Sequence, residues 1–297
     1  MELSKKVTDK DLVIVVVSGG GSALLCWPMK ECEQANRLYE EFLQTGGDIK
    51  ELNTVRKHIS SLKGGGLAKE LYPAQVIGLI FSDIPGNTYG YIASGPTYKD
   101  ATTIYDAQAI LDKYHLTGYE LNETPTDDKY FERVTNIPLV SNIEAEEAMK
   151  QKAESLGLKA KILSYELYDD QEQIAQKFLA AIEPNCVLLA GGEPRSIITT
   201  EGGTGDRCQR LGLVILPLLT EADVFAAVAS DGLDNSAAAG VIEDGATLEK
   251  MKNKNLNWDE YKEKWDSMGM YTQLGNELLE TGPTHANVSD LMIMFRK

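Results

Sequence analysis

The chain has 297 residues, 43% of them hydrophobic, and a formal net charge of −16. That length suits one large or two ordinary domains with cores of their own, and the composition excludes wholesale disorder. So acidic a surface repels phosphate backbones and anionic headgroups, which argues against nucleic-acid and membrane partners.

The longest apolar run, Leu12 to Val17, is too short to span a bilayer, and the mixed-charge start MELSKKVTDKD does not read as a signal peptide. A cytoplasmic protein is expected. Cys26, Cys32, Cys186 and Cys208 form no C-x-x-C pair and have no histidine beside them. They read as reduced, mostly buried thiols, without a zinc site or a disulfide framework.

Four short apolar runs end in small and acidic residues. Asp11–Val17 leads into Ser18-Gly19-Gly20-Gly21-Ser22, and Gln75–Phe81 into Ser82-Asp83-Ile84-Pro85-Gly86. Cys186–Ala190 leads into Gly191-Gly192-Glu193, and Val224–Ala229 into Ser230-Asp231-Gly232-Leu233-Asp234. Each has the length of a strand buried on both faces, as in a parallel sheet. Polar residues 118–136 read as a linker or an insertion loop. Ser141 with Glu144 predicts a capped helix with Ala145, Ala148, Met149 and Leu156 on one face, stopped by Gly157. Lys161–Tyr165 reads as a strand. Asp169 or Asp170 starts a second helix, which carries Ile174, Phe178 and Ile182 inward. Helix–strand alternation of this kind predicts an α/β fold with largely parallel sheets covered by helices. Trp258, Tyr261 and Trp265, at helical spacing, predict an aromatic face packed on the core.

The candidate chemistry lies between these elements. Ser18, Gly19, Gly20, Gly21 and Ser22 follow a strand and open a helix, which suits either a phosphate cradle or a plain tight turn. The loop is neither a Walker A loop nor G-x-G-x-x-G. Arg56, Lys57, His58 and Lys63 form the most basic stretch of the chain, and Arg56, Ser60 and Lys63 would share a helix face suited to an anionic substrate. Asp83, Glu193, Asp231 and Asp234 stand at strand ends, where open α/β sheets bind ligands and where oxygen donors suit magnesium. The turn from Thr199 to Gln209, with Gly203 and Gly205, ends in Arg207, a cation placed for phosphoryl transfer. Nucleophilic alternatives are weak: no G-x-S-x-G elbow is present, and Ser22 and Ser94 have no histidine partner in sequence.

Taken together, VSGGGSALL (17–25), LNTVRKHISSLKGGGLA (52–68), FSDIPGNTYGYIASGPTYKD (81–100), GGEPRSIITTEGGTGDRCQ (191–209), SDGLDNSAAAG (230–240) and TGPTHANVSDL (281–291) resemble the glycerate 2-kinase family, whose C-terminal part is the MOFRL domain. The resemblance implies two α/β domains with a cleft between them: residues 1–137 as the remainder of a Rossmann-like N-terminal domain, and 138–297 as the MOFRL-type domain. It implies transfer of the ATP γ-phosphoryl to D-glycerate, with Mg²⁺, to give 2-phosphoglycerate. Arg207, Lys57 and Asp231 would then be catalytic. Ser18–Ser22, Gly203 and Gly205 would bind the cofactor, Arg56, His58 and Lys63 the substrate, and Asp83 and Glu193 the metal.

The family pattern also has a preceding segment with Gly-Lys-Ala and His-Pro stretches, so the likeness is to an N-terminally shortened member with an exposed sheet edge. Asn87, Asp206, Cys208 and Arg210 depart from the motifs. The alternative expectation is a non-catalytic or split-enzyme relative that binds a small anionic ligand or a partner chain. For partners beyond substrate and ATP, a homodimer and a separate N-terminal chain stand open.

Overall fold

The computed structural model describes residues 2, 4–195 and 203–297. The chain forms two compact units. One comprises Met1–Ser82 with Thr88–Leu139, and the other Asp83–Asn87 with Val140–Lys297.

Unit 1 holds β1 (Leu12–Val17), α1 (Gly21–Leu24), α2 (Met29–Leu43), α3 (Ile49–His58), α4 (Gly66–Leu71), β2 (Gln75–Phe81), α5 (Ile104–Lys113) and β3 (Val134–Val140). Its sheet runs β1-β2-β3, with β1 parallel to β2. Helix starts follow local chemistry: Asp48 and Thr103 each close a reciprocal capping box, at α3 and α5. Leu38, Phe42, Leu52, Val55 and Leu111 form a buried cluster between α2, α3 and α5. Tyr119 and Leu121 pack onto it, so the stretch from residue 118 covers this unit before it enters β3, with the division falling after Leu139.

Both predicted strands of this unit form, but β1 is not buried on both faces. Leu12, Ile14 and Val16 are more than half exposed, because the helices cover only the side of Val17. The thiol expectation also fails here. Cys26 and Cys32 form a disulfide across the start of α2, which brings their Cα atoms to 5.2 Å, while Cys186 and Cys208 are free and buried. Spacing alone could not show this, because the turn through Trp27 and Pro28 folds the two residues together.

Unit 2 holds α6 (Asn142–Ser155), β4 (Lys159–Leu167), α7 (Gln171–Ala181), β5 (Cys186–Gly192), α8 (Arg207–Ile215), β6 (Asp223–Ala229), β7 (Gly240–Asp244), α9 (Gly245–Asn253), α10 (Trp258–Glu263), α11 (Ser267–Leu274), β8 (Leu278–Leu279) and β9 (Asp290–Arg296). The sheet order is β4-β5-β9-β6-β7-β8. The α/β architecture is as expected, with one refinement. β4 and β5 are parallel, whereas β9 runs antiparallel to both β5 and β6, and β7 runs antiparallel to β6 and β8.

Ile174 and Phe178 of α7 join Leu211, Ile215, Phe225 and Met294 in the main core. Asp170 caps α7, as its sequence position suggested. Helix α6 begins at Ser141 as predicted, but its inner face differs: Ala148 and Leu156 are exposed, while Asn142, Glu146 and Ala153 are buried. A buried carboxyl replaces the expected alanine stripe, because Glu146 finds Asn142 as a partner. Trp258 and Tyr261 pack on the core around Met270 and Tyr271, and Trp258 donates its Nε1–H to the Leu213 carbonyl at 2.7 Å. No described helix is long and apolar enough to cross a membrane.

Candidate functional site

In unit 1 the Ser-Gly-Gly-Gly-Ser loop turns from β1 into α1, which is only four residues long. Gly20 has φ +78°, and a Cβ on Gly21 would lie 2.5 Å from that of Ala93, so both glycines serve the turn itself. Ser22 Oγ lies 3.0 Å from Ser94 Oγ. Ser94 Oγ donates to Asn53 Oδ1 at 3.3 Å, and Arg56 Nη1 donates to the same oxygen at 3.3 Å. The loop and the basic helix are therefore joined by one buried polar chain.

The basic stretch does not present one cationic face. Helix α3 ends at His58, so Ser60 and Lys63 lie in the turn beyond it. Lys63 is 1% exposed; it donates to the Leu25 carbonyl and faces Glu31 at 3.9 Å. Burial lowers its pKa to about 8. Glu31 also accepts from Ser60 Oγ at 2.6 Å and from the Ser61 N–H at 2.8 Å, so Lys63 and Glu31 together brace this turn.

His58 is fully buried. Its Nδ1 lies 2.9 Å from the Asn122 carbonyl and its Nε2 3.3 Å from Thr102 Oγ1. With both ring nitrogens engaged inside the protein, His58 and Lys63 are withdrawn as substrate ligands. Lys57 is tied to the buried Asp100 at 2.8 Å. Arg56 is 7% exposed, sits over the Tyr39 ring, and has its pKa lowered by burial.

In unit 2 the strand ends converge. In β9, Asp290 pairs opposite Gly192 of β5 and Ala229 of β6. Because β9 runs antiparallel, its first residue stands at the edge where β5 and β6 end. That edge collects Glu193, Ser230, Asp231 and Asp290, and α8 starts beside it with Arg207. Arg207 Nε lies 2.8 Å from Asp290 Oδ2, and Nη1 lies 3.6 Å from Glu193 Oε2. The Arg207 side chain is 37% exposed, whereas Asp290 is almost wholly buried. Burial pushes the Asp290 carboxyl up to about 7 against the opposing pull of Arg207. Burial alone would lower the Arg207 pKa, but the charges of Asp290 and Glu193 outweigh it and raise the net value.

Asp206, Arg207, Ser230, Asp231, Asp234 and Asp290 are among the residues lining a cleft of about 50 Å³. Asp231 Oδ1 accepts the Leu233 N–H at 3.0 Å. Asp234 has a structural task. It is buried and accepts the N–H groups of Cys208 and Gln209, capping α8 where Asp206 supplies no side-chain cap bond. Burial raises its pKa. Asp83 belongs to this unit, and its carbonyl accepts from Ser289 Oγ at 3.1 Å.

The second glycine loop is described only from Gly203, so residues 196–202 of that motif lie outside the described residues. A Cβ on Gly203 would lie 2.1 Å from the Lys264 carbonyl oxygen, and one on Gly205 2.3 Å from Ser267 Oγ. Thr204 binds Asp266 through its N–H and its hydroxyl. Close packing against the start of α11 accounts for both glycines.

Asp290 lies within the 281–291 motif, but as an acid that precedes its strand it carries none of the signal of the acids that follow strands. Asn53, inside the basic stretch, is likewise marked only by its partners Arg56 and Ser94 in the fold.

Residues 1–124 match a domain of unknown function, DUF4147, and residues 186–290 match the MOFRL family. The D-glycerate 2-kinase of Thermotoga maritima is 34% identical over 318 residues, covering 99% of this chain and 74% of that protein. The glycerate 2-kinase of Pyrococcus horikoshii is 33% identical, covering 99% of this chain and 72% of its own. The crystal structure of glycerate kinase from Thermotoga maritima matches with a TM-score of 0.90 at 32% identity, covering 100% of this chain and 75% of that one. Identity at this level, sustained along nearly the whole sequence and matched in fold, means that the chain belongs to the glycerate 2-kinase family.

Proposed function

We propose that the chain transfers the γ-phosphoryl group of ATP to the 2-hydroxyl of D-glycerate, giving 2-phosphoglycerate and ADP. The observation that carries this is Arg207. Asp290 and Glu193 hold its guanidinium at the lip of a cleft formed by strand ends, while more than a third of it stays accessible. Phosphoryl transfer is catalysed mainly by positioning and charge neutralisation, and a guanidinium fixed in this way supplies both. Asp290 acts as the positioning residue behind Arg207. Asp231, at the mouth of the same cleft, accepts the glycerate hydroxyl proton.

The donor set suits Mg²⁺. Among the described residues no group of three or more His, Cys, Asp or Glu side chains forms a metal cage. Magnesium needs no such cage, because it takes one or two carboxylates together with substrate phosphates. Asp83 and Glu193 would hold it, and when bound it would neutralise charge on the phosphates. Taken by itself, the Ser18–Ser22 loop of unit 1 would bind an anion, with Arg56 and Lys57 as the cations nearest in sequence. The oxygen-lined cleft and the relatives' names support a small anionic substrate.

The test is phosphorus NMR of the purified protein with Mg²⁺, ATP and D-glycerate. Formation of 2-phosphoglycerate is expected, and Arg207→Ala should slow it by about 10³-fold. Product formed equally fast by Arg207→Ala would overturn the assignment. No product from folded protein would favour the non-catalytic reading.

A further inference from the structure

Asn142 is fully buried at the start of α6, yet capping does not need it. Ser141 caps that helix by accepting the Ile143 N–H at 3.2 Å. The Asn142 carboxamide reaches elsewhere. Its Oδ1 accepts the Gly86 N–H at 3.0 Å, and its Nδ2 donates to the Tyr165 carbonyl at 2.6 Å and to Glu146 Oε1 at 3.0 Å. The end of β5 packs on the same group, since a Cβ on Gly191 would lie 2.8 Å from Nδ2. Glu146 and β4 therefore hold the amide in one orientation, with its oxygen toward the loop that follows β2.

That loop, Asp83–Asn87, belongs to unit 2 although residues of unit 1 flank it in sequence. It has a second tie. Ser289, 2% exposed, donates through Oγ to the Asp83 carbonyl at 3.1 Å, and Ser289 immediately precedes Asp290. The backbone from Asp83 to Gly86 is thus fixed at one end to the start of β9 and at the other to the start of α6. The Asp83 carboxylate differs from this backbone. It is half-buried, and among the described residues no hydrogen bond or ion pair engages it. A carboxylate left open on a backbone tied at two points is poised to take a ligand.

We infer that Asn142 is a positioning residue for Asp83: by pinning the Gly86 N–H it sets the Asp83 carboxylate relative to Glu193 and Asp290. This deepens the kinase reading and rests on it, since there Asp83 holds Mg²⁺. Asn142 meets neither substrate nor metal and acts only through Asp83.

The test follows Mn²⁺ binding in the presence of ADP, by water-proton relaxation, in the parent, Asn142→Ala, Asp83→Asn and the double variant. Asn142→Ala should weaken Mn²⁺ binding about tenfold, and Asp83→Asn at least as much. Added to Asp83→Asn, Asn142→Ala should cost less than about twofold more, because its effect passes through that carboxylate. In the kinase assay the apparent KM for Mg²⁺ should rise in Asn142→Ala, with kcat at saturating Mg²⁺ within about threefold of the parent. A merely structural role would lower kcat and leave the Mg²⁺ dependence alone. Asn142→Ser leaves a hydroxyl for the freed polar groups but falls short of Gly86, so it guards against a misfolded alanine variant and should weaken binding likewise. Weakened binding in Asp83→Asn alone overturns the inference, as do losses that multiply in the double variant. Unchanged binding in Asp83→Asn is a distinct failure: it removes the metal reading of Asp83, and this inference with it, while the role of Arg207 stands.

Discussion

Asp290 offers a direct thermodynamic test of the cleft. Burial outweighs the attraction of Arg207 and pushes its carboxyl in the folded protein up to about 7, from an ordinary 3.8. A raised acid pKa means that the folded state holds the proton more tightly than the unfolded one. The associated stability is complete below pH 3.8 and is lost as pH rises through 7. A shift of roughly three units corresponds to about 4 kcal/mol in all. Between pH 5 and pH 8 the loss is about 2.5 kcal/mol, since part has already gone by pH 5.

Asp290→Asn removes this titration but keeps an oxygen that can accept from Arg207. The variant should therefore gain about 2.5 kcal/mol over the parent on going from pH 5 to pH 8. Denaturant titrations at both pH values measure this. A Trp27→Phe background leaves only Trp258 and Trp265, both in unit 2, as fluorescent reporters. Comparing variant with parent cancels every other group that titrates in the same range. A difference that stays within about 0.5 kcal/mol from pH 5 to pH 8 would refute the reasoning, because it would mean that Arg207 keeps Asp290 ionised throughout.

Glu146 follows the same logic on the far side of β5. Burial lifts it to about 8, so Glu146→Gln should gain about 3.5 kcal/mol over the parent between pH 5 and pH 8, read from the same titrations. Thiol labelling of denatured, unreduced protein should find two reactive cysteines, rising to four after reduction, because Cys26 and Cys32 are joined. Replacing both with serine should cost unit 1 about 2 kcal/mol from loop-closure entropy, measured as a lower denaturation midpoint. Gly21→Ala should destabilise unit 1 by about 1–3 kcal/mol, because its Cβ would meet Ala93. Unchanged stability in that variant would show that the turn can relax.

Strands β1, β2, β5 and β6 were legible because their apolar runs are short and end in small and acidic residues, whereas β3, β7, β8 and β9 were not. Leu12–Val17 and Gln75–Phe81 were found within a residue of their ends. Helix starts were legible at Ser141 and Asp170, where a side chain caps locally, but the capping boxes at Asp48, Thr103 and Asp244 were passed over. Pairing was less legible. The antiparallel course of β9 depends on how the chain returns from β8, and no local pattern encodes that. For this reason Asp290 escaped notice, although Glu193, Asp231 and Arg207 around it did not. The basic stretch misled in the opposite way. Charge suggested an open anion site, but Lys63 and His58 have internal partners at distant positions, Glu31 and Asn122, and helical spacing cannot show them.

The same comparison gives the apolar pattern of β1 its meaning. A strand bearing valine, leucine and isoleucine on both faces is written for a two-sided layer. Unit 1 supplies one side, through Val17 and the helices packed behind it, and leaves Leu12, Ile14 and Val16 in water. The expectation that both faces are buried therefore failed on one face only. A surface strand that needed to face solvent would alternate apolar with polar residues. The absence of any polar residue from β1 marks a strand patterned for burial, not for exposure.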